Sequence, residues 1–287
     1  MAVTNFVPDI WSARILSNLS KTAVANGICN RDYEGDTTSG DSVKITSITD
    51  PTIGTYTTGT NVSPEAITDA TRALLLNQQK FFDFFLDDVE RAQSVNGGSI
   101  MREAIDRASY GLGNTLDAYV LDLIGSGVST SNPDHLLTQA AIDTAAEAYD
   151  LLVKMAALLD EADCPQENRW AVVTPGFYGL MLKDSRFVAA GDAVGAAVRA
   201  NGVVGEAAGL KIHKSNNLPS GSLSTGNTSK LILAGSTYAT TLAEQVRSVE
   251  AIRDNLKFAD RVRGLHVYGA KVTRSTCAVA ADCVITL

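Results

Sequence analysis

The sequence predicts an α+β fold on three observations. Two segments of helical periodicity stand in the middle of the chain, a Ser/Thr-rich stretch precedes them, and short strands separated by glycine turns fill the last third. Helices set between separated β regions argue against the regular alternation of an α/β fold. The 287 residues suit one large domain or two modest ones, and 45% hydrophobic with 20% charged residues is ordinary globular composition.

Near the start, Ile10, Trp11, Ile15, Leu16 and Leu19 recur at helical spacing, which predicts a short amphipathic helix ended by Gly27. Between Asp36 and Thr71, Ser and Thr supply 15 of 36 residues, and Pro51, Gly54, Gly59 and Pro64 interrupt the run. No compact core can be built from that composition. Val43-Lys44-Ile45-Thr46 alternates as a strand, and Thr55-Tyr56-Thr57-Thr58 is β-prone, so the stretch reads as a long two-stranded excursion with a loose tip. Such a pair is marginal alone in water and should lean on a neighbouring subunit.

Leu74-Leu-Leu and Phe81-Phe-Asp-Phe-Phe-Leu return the chain to a core, and four phenylalanines in five positions call for burial. With Ser99 as N-cap, Met101, Ile105, Ala108, Leu112, Leu116, Tyr119 and Leu123 share one face until Gly125-Ser-Gly127. The expectation is a helix over 100–124, about 37 Å long at ~1.5 Å per residue. Gly111 and Gly113 lie inside it at about 1 kcal/mol each relative to Ala; they mark either tight packing or a place where a long helix can bend. A second helix is expected over 139–163, with Ile142, Ala145, Tyr149, Leu152, Ala156 and Leu159 as its stripe and Pro165 as its stop. Strands follow at 170–173, 210–213, 230–233, 265–274 and 278–285.

Several function classes are excluded or unsupported. A net charge of −8, from 32 acidic and 24 basic residues, gives no overall positive field for tight phosphate binding. Cys29, Cys164, Cys277 and Cys283 form no CxxC pair, so neither a zinc site nor a disulfide framework is indicated, and buried free thiols are expected. His135, His213 and His266 are isolated from one another and read as surface or satisfied core residues. Gly111-Leu-Gly-Asn-Thr-Leu116 is half a dinucleotide fingerprint in mid-helix, and GxxxxGK[ST], HExxH and GxSxG motifs are missing. Asp87 and Asp88 are adjacent and would point to opposite faces of a strand, unable to share a proton. The sequence thus offers no catalytic, cofactor-binding or metal-ligating residue, and implies no cofactor and no enzymatic activity. With no basic leader and no run of about 18 apolar residues, the expectation is a soluble, unexported chain without a membrane partner.

Three stretches in order carry a resemblance. Arg169-Trp-Ala-Val-Val-Thr-Pro175 leads into Phe177-Tyr-Gly-Leu-Met-Leu-Lys-Asp-Ser-Arg-Phe187. Gly205-Glu-Ala-Ala-Gly-Leu-Lys-Ile-His-Lys-Ser-Asn-Asn-Leu-Pro219 follows. The third runs from Ala243-Glu-Gln-Val through Val249-Glu-Ala-Ile-Arg253 and Phe258-Ala-Asp-Arg-Val-Arg-Gly264 to Val267-Tyr-Gly-Ala-Lys-Val272. With the long helix and the Ser/Thr-rich arm they cover nearly the whole chain, and together they resemble the major capsid (coat) proteins of tailed bacteriophages, the fold shared with encapsulin shells and the herpesvirus capsid floor.

The resemblance implies an N-terminal arm (1–30), an extended β-hairpin loop (31–80), a peripheral domain (81–167) with a spine helix near 100–124, an axial domain (168–250), and C-terminal strands (251–287) that return to the peripheral domain. It implies a structural subunit that self-assembles into hexamers and pentamers, forming the icosahedral head that encloses a phage genome. The expected partners are further copies of the chain, a separate scaffolding protein, a portal, and double-stranded DNA contacted weakly and non-specifically. The expected location is the virion, after assembly in the bacterial host cytoplasm. An encapsulin-type nanocompartment shell is the alternative on the same architecture; a soluble binding or adhesion module is the alternative from another class, and a hydrolase ranks last.

Residues 244–274 carry seven basic against four acidic side chains, whereas Asp32 to Asp41 and Asp83 to Glu90 are locally negative. These patches suggest charge pairing between neighbouring subunits, set against a solvated surface of mixed charge. Lys44 in the extended loop is read as an ordinary solvated strand lysine, with no crosslinking chemistry assigned.

Overall fold

The structure, a computed structural model, describes residues 23–33, 42–48, 51–59, 61, 64–93, 97–184, 205–224 and 228–286. The apolar helix stripe at 10–19 lies outside them, as does the Asp-x-Arg-Phe turn beyond Asp184. Gly27 falls inside a single helical turn, α1 (Ala25–Ile28), whose Ala25 and Ile28 are buried.

The excursion is a two-stranded antiparallel hairpin, but its second strand differs from the expected one. Strand β1 (Ser42–Ile48) pairs with β2 (Asp69–Leu75), from Ser42 opposite Leu75 to Ile48 opposite Asp69. Thr55 to Thr58 are exposed and form no strand. Their β propensity meets no partner strand, and Gly59 at φ +87° turns the backbone away from an extended path.

Strand β3 (Gln78–Asp87) joins a three-stranded antiparallel sheet with β10 (Thr240–Arg253) and β11 (Ala259–Val272), in the order β10-β11-β3. A six-residue helix α2 (Asp88–Gln93) separates β3 from the long helix α3 (Gly97–Ser131). At 35 residues α3 is about 52 Å long. It does not stop at Gly125, because both late glycines are close-approach positions. A Cβ on Gly125 would lie 2.9 Å from Leu231 Cδ1, and one on Gly127 would lie 2.7 Å from Val272 Cγ2. The helical propensity lost at these sites lets the sheets come against the helix. Gly111 and Gly113 are the opposite case. Among the described residues nothing stands within 4 Å of a Cβ at either position, so no packing contact among them calls for glycine there.

The second long helix also begins later than expected. Gln139 and Ile142 belong to β4 (Leu136–Ile142), paired in parallel with β12 (Ala278–Ile285), and α4 is Ala145–Glu161. Thr144 and Glu147 form a capping box: Thr144 Oγ1 accepts from the Glu147 N–H at 3.3 Å, and Glu147 Oε2 accepts from the Thr144 N–H at 3.3 Å. The Asp143 N–H is the main reason the Glu147 carboxyl titrates below its usual range, with the Thr144 donors adding to it.

Strands β5 (Arg169–Val173), β6 (Glu206–Ala207), β7 (Leu210–Lys214), β8 (Ser220–Ser224) and β9 (Thr228–Ser236) complete a seven-stranded mixed sheet. Its order is β4-β12-β9-β5-β7-β6, with β8 also on β9. Helix α5 (Pro175–Lys183) follows β5, with Thr174 as N-cap and proline in its first turn. The main core gathers Val120, Leu121, Ile124 and Val128 of α3, Leu151, Leu152 and Met155 of α4, Phe177 and Met181 of α5, and both faces of β5 and β12. Those two strands are buried almost end to end, which is why their sequences run apolar without alternation.

Candidate functional site

The run at 81–85 decides where the chemistry of this surface lies. In a strand successive side chains take opposite faces, and β3 alternates between half-buried and exposed along its length. Phe82 and Phe84 stack at 5.9 Å on one face, and the Phe82 ring lies across Gly264, where a Cβ would collide with its edge. Tyr268, on that same face of β11, meets Tyr119 of α3 edge-on at 5.6 Å, so this is the side turned toward the long helix. Phe81 and Phe85 point the other way, 75% and 50% exposed. The expectation that all four rings need burial is therefore corrected: two are packed within the subunit and two are left on its surface.

Register builds the exposed face row by row. Phe81 stands opposite Leu265, which stands opposite Ser248; Asp83 is opposite Arg263 and then Glu250; Phe85 is opposite Arg261 and then Ile252. The charged row lies between a row carrying Phe81 and Leu265 and a row in which Phe85 and Ile252 flank Arg261. Arg261 Nε donates to Asp83 Oδ1 at 2.8 Å, and Arg263 Nε and Nη2 donate to Glu250 Oε2 at 3.0 and 2.8 Å. Hydrogen bonding from Arg261 holds the Asp83 carboxyl below its usual range and raises the guanidinium in return. Arg253 pairs with Asp88 and, at 3.1 Å, with Asp260. Within one chain, therefore, Asp83 and Asp88 of the acidic run already pair with Arg261 and Arg253 of the basic one. The Glu34 to Asp41 part of the acidic stretch lies outside the described residues.

The same end of the molecule carries further exposed apolar side chains: Val89 on α2, and Leu256 and Phe258 in the β10–β11 turn. Lys257 Nζ sits 4.0 Å from the Phe85 ring centroid. Exposed apolar side chains gathered on one sheet face and its adjoining turn, interleaved with charged pairs, fit a protein–protein contact.

A second exposed feature is the β1–β2 hairpin with residues 51–59 and 64–68, where Ile53, Tyr56 and Ile67 are largely exposed. Its root is fixed firmly. Val43, Leu74, Leu76, Ala243 and Val267 make a small separate core, Lys271 Nζ donates to Ala73 O at 2.8 Å, and Arg72 donates to Thr273 O. A Cβ on Gly269 would collide with Leu75 O, so only glycine lets the chain cross β11 there. Lys44 is exposed on β1, as read from the sequence.

The three histidines are separate. His135 is buried with Nδ1 3.0 Å from Ala278 O, His213 is part-buried with its pKa lowered by burial, and His266 Nε2 lies 2.9 Å from Glu244 Oε2. Glu244 also takes Arg31 Nη2 at 2.9 Å. Cys29, Cys164 and Cys283 are buried thiols pushed up to about 12, chiefly by burial. The half fingerprint at 111–116 is in mid-helix, and among the described residues no group of three His, Cys, Asp or Glu side chains could hold a metal ion. No helix among the described residues is long and apolar enough to cross a membrane.

The family model described as phage capsid protein matches residues 78–281. No curated protein sequence matches the chain. Among solved structures, a chain from Mycobacterium phage Che8 is 29% identical, with 98% of each chain covered and a TM-score of 0.81. The capsid structure of the cyanophage P-SCSP1u is 19% identical over 100% of this chain and 95% of that one, at a TM-score of 0.80. The mature capsid of bacteriophage PhiM1 is 16% identical over 97% and 92%, at 0.72. Low identity with high coverage places the whole described fold, hairpin included, in one architecture.

Proposed function

Because this chain belongs to the phage capsid protein family, it is a structural subunit of a phage capsid, and we propose that it closes into hexamers and pentamers of an icosahedral head around double-stranded DNA. The observation that carries the assembly reading is the exposed apolar face of the β10-β11-β3 sheet, which has no covering element within the described residues of its own chain. Another copy of the subunit is its partner, and the hairpin reaching out from a fixed root is the second contact. Repeated heterologous contacts of this sort add many weak interfaces into one closed container.

In this reading the chain divides into an arm (1–30), an extended loop (31–80), a peripheral region (81–167) with α3 as its spine, an axial region (168–250), and C-terminal strands (251–287), with β10 passing between the last two. The subunit has no catalytic role and assembles in the host cytoplasm before residing in the virion. A separate scaffolding protein and a portal complete the pathway, and the negative net charge keeps contact with DNA weak and non-specific. The nanocompartment alternative is not favoured, since the family matched is that of phage capsids. Electron microscopy of the chain, expressed alone and beside its neighbouring genes, tests this. Closed particles containing DNA support it; a persistent monomer in both preparations refutes the assembly reading, and protein cargo in place of DNA restores the nanocompartment.

A further inference from the structure

The Ser-Asn-Asn-Leu-Pro stretch at 215–219 has no part in the exposed face, yet it meets a fully buried carboxylate on the long helix, Asp117. Asp117 Oδ1 accepts from the backbone N–H groups of Val24 and Ala25 at 2.7 and 2.9 Å. Asp117 Oδ2 accepts from Asn217 Nδ2 at 2.7 Å and, at the limit of 3.5 Å, from Ser215 Oγ. Asn217 Nδ2 also donates to Asn114 Oδ1 at 2.9 Å, and the Asn217 N–H donates to Ser215 Oγ at 3.1 Å. The Ser215 N–H in turn donates to Val173 O at the end of β5. One side chain thus joins three segments about a hundred residues apart.

The segment on the Oδ1 side is docked rather than loosely attached. Val24, Ala25, Ile28 and Cys29 are buried in the main core, and Asn30 bonds to β10 through its own N–H to Thr240 O and through the Leu242 N–H to Asn30 O. We propose that Asp117 couples the seating of residues 23–30 to the closure of the 215–218 loop, so that each holds the other in place. The physical cause is shared desolvation. A buried carboxylate is tolerated only while its acceptor sites are filled, and departure of either segment lets water reach it. Water weakens the hydrogen bonds that remain on the other side, where a dry surrounding had strengthened them. The loop thereby governs how firmly residues 23–30 are held against the core.

Amide hydrogen exchange on the full-length chain tests the coupling. Asn217→Ala removes the shorter of the two loop-side hydrogen bonds to Asp117 and leaves the Val24 and Ala25 donors in place. Exchange at Val24 and Ala25 should rise about tenfold, while Trp170 to Val173 keep their protection. Asn217→Asp sets two carboxylates against each other in a buried site and should raise it further. Adding Asp117→Asn to Asn217→Asp restores one amide facing one carboxylate, and exchange at Val24 and Ala25 should fall back toward the parent value. Unchanged exchange at Val24 and Ala25 when the loop itself accelerates would overturn the proposal, as would a double variant no better than Asn217→Asp. If Asn217→Ala does not fold, the comparison of Asn217→Asp with the double variant decides the matter.

Discussion

Replacing Phe81 and Phe85 with serine should prevent assembly at the concentration where the parent assembles and leave the subunit folded. A phenylalanine side chain offers on the order of 200 Å² of mostly apolar surface. With the exposures of 75% and 50%, the two rings together leave roughly 250 Å² in water. Covering that area would contribute about 6 kcal/mol per subunit at ~25 cal/mol/Å², as an upper bound. Lys257 already shields part of Phe85, and association recovers only a fraction of such area, so ~3 kcal/mol is the working figure. That corresponds to a rise of about a hundredfold in the subunit concentration needed for closed particles. Light scattering and sedimentation across a concentration series measure it, with the melting temperature of the unassembled subunit as the folding control. Phe82→Ser supplies the contrast, because that ring packs across Gly264 and its loss should cost ~2 kcal/mol of subunit stability. Particles forming at the parent concentration, or Phe81→Ser with Phe85→Ser destabilising the subunit as much as Phe82→Ser does, would refute the division of the run into an assembly face and a folding face.

Three other outcomes follow from particular contacts. Gly269→Ala forces a methyl against Leu75 O, well inside an ordinary contact distance, and should cost roughly 1–3 kcal/mol while loosening the hairpin root, seen as faster exchange at Leu74 to Leu76. Ala208 and Gly209 both have positive φ, 51° and 72°, in the two-residue turn between β6 and β7, so Ala208→Asn should stabilise by about 0.5–1 kcal/mol in chemical denaturation. Cys29 and Cys283 titrate at about 12 in the folded chain and at about 8.5 when unfolded, so the stability they contribute is complete below about pH 8.5 and is lost as pH rises toward 12. Denaturation midpoints between about pH 9 and 11 should therefore fall less steeply in Cys29→Ala with Cys283→Ala than in the parent, and equal slopes would refute the assignment.

The class of fold, the Ser/Thr-rich hairpin excursion and most of the late strands were legible in the sequence. Local signals carry these: Trp170 to Val173 has the apolar run of a buried strand, and Val43 to Thr46 the alternation of a half-exposed one. The order of three motif stretches pointed to the family, which no single residue could do. Helix ends were less legible, since Gly125 and Gly127 look like stops until Leu231 and Val272 are seen to occupy the space a side chain would take. Gln139 and Ile142 fit a helical stripe equally well until β12 supplies a parallel partner. Which phenylalanines face water emerges only from packing, because alternation gives two faces without saying which one α3 covers. Packing also makes Arg261 and Asp83 partners within one chain, and makes Asp117, a lone acid on a helix, the holder of two distant backbone segments. Those are facts of proximity between residues about a hundred or more positions apart, and local pattern carries no information about them.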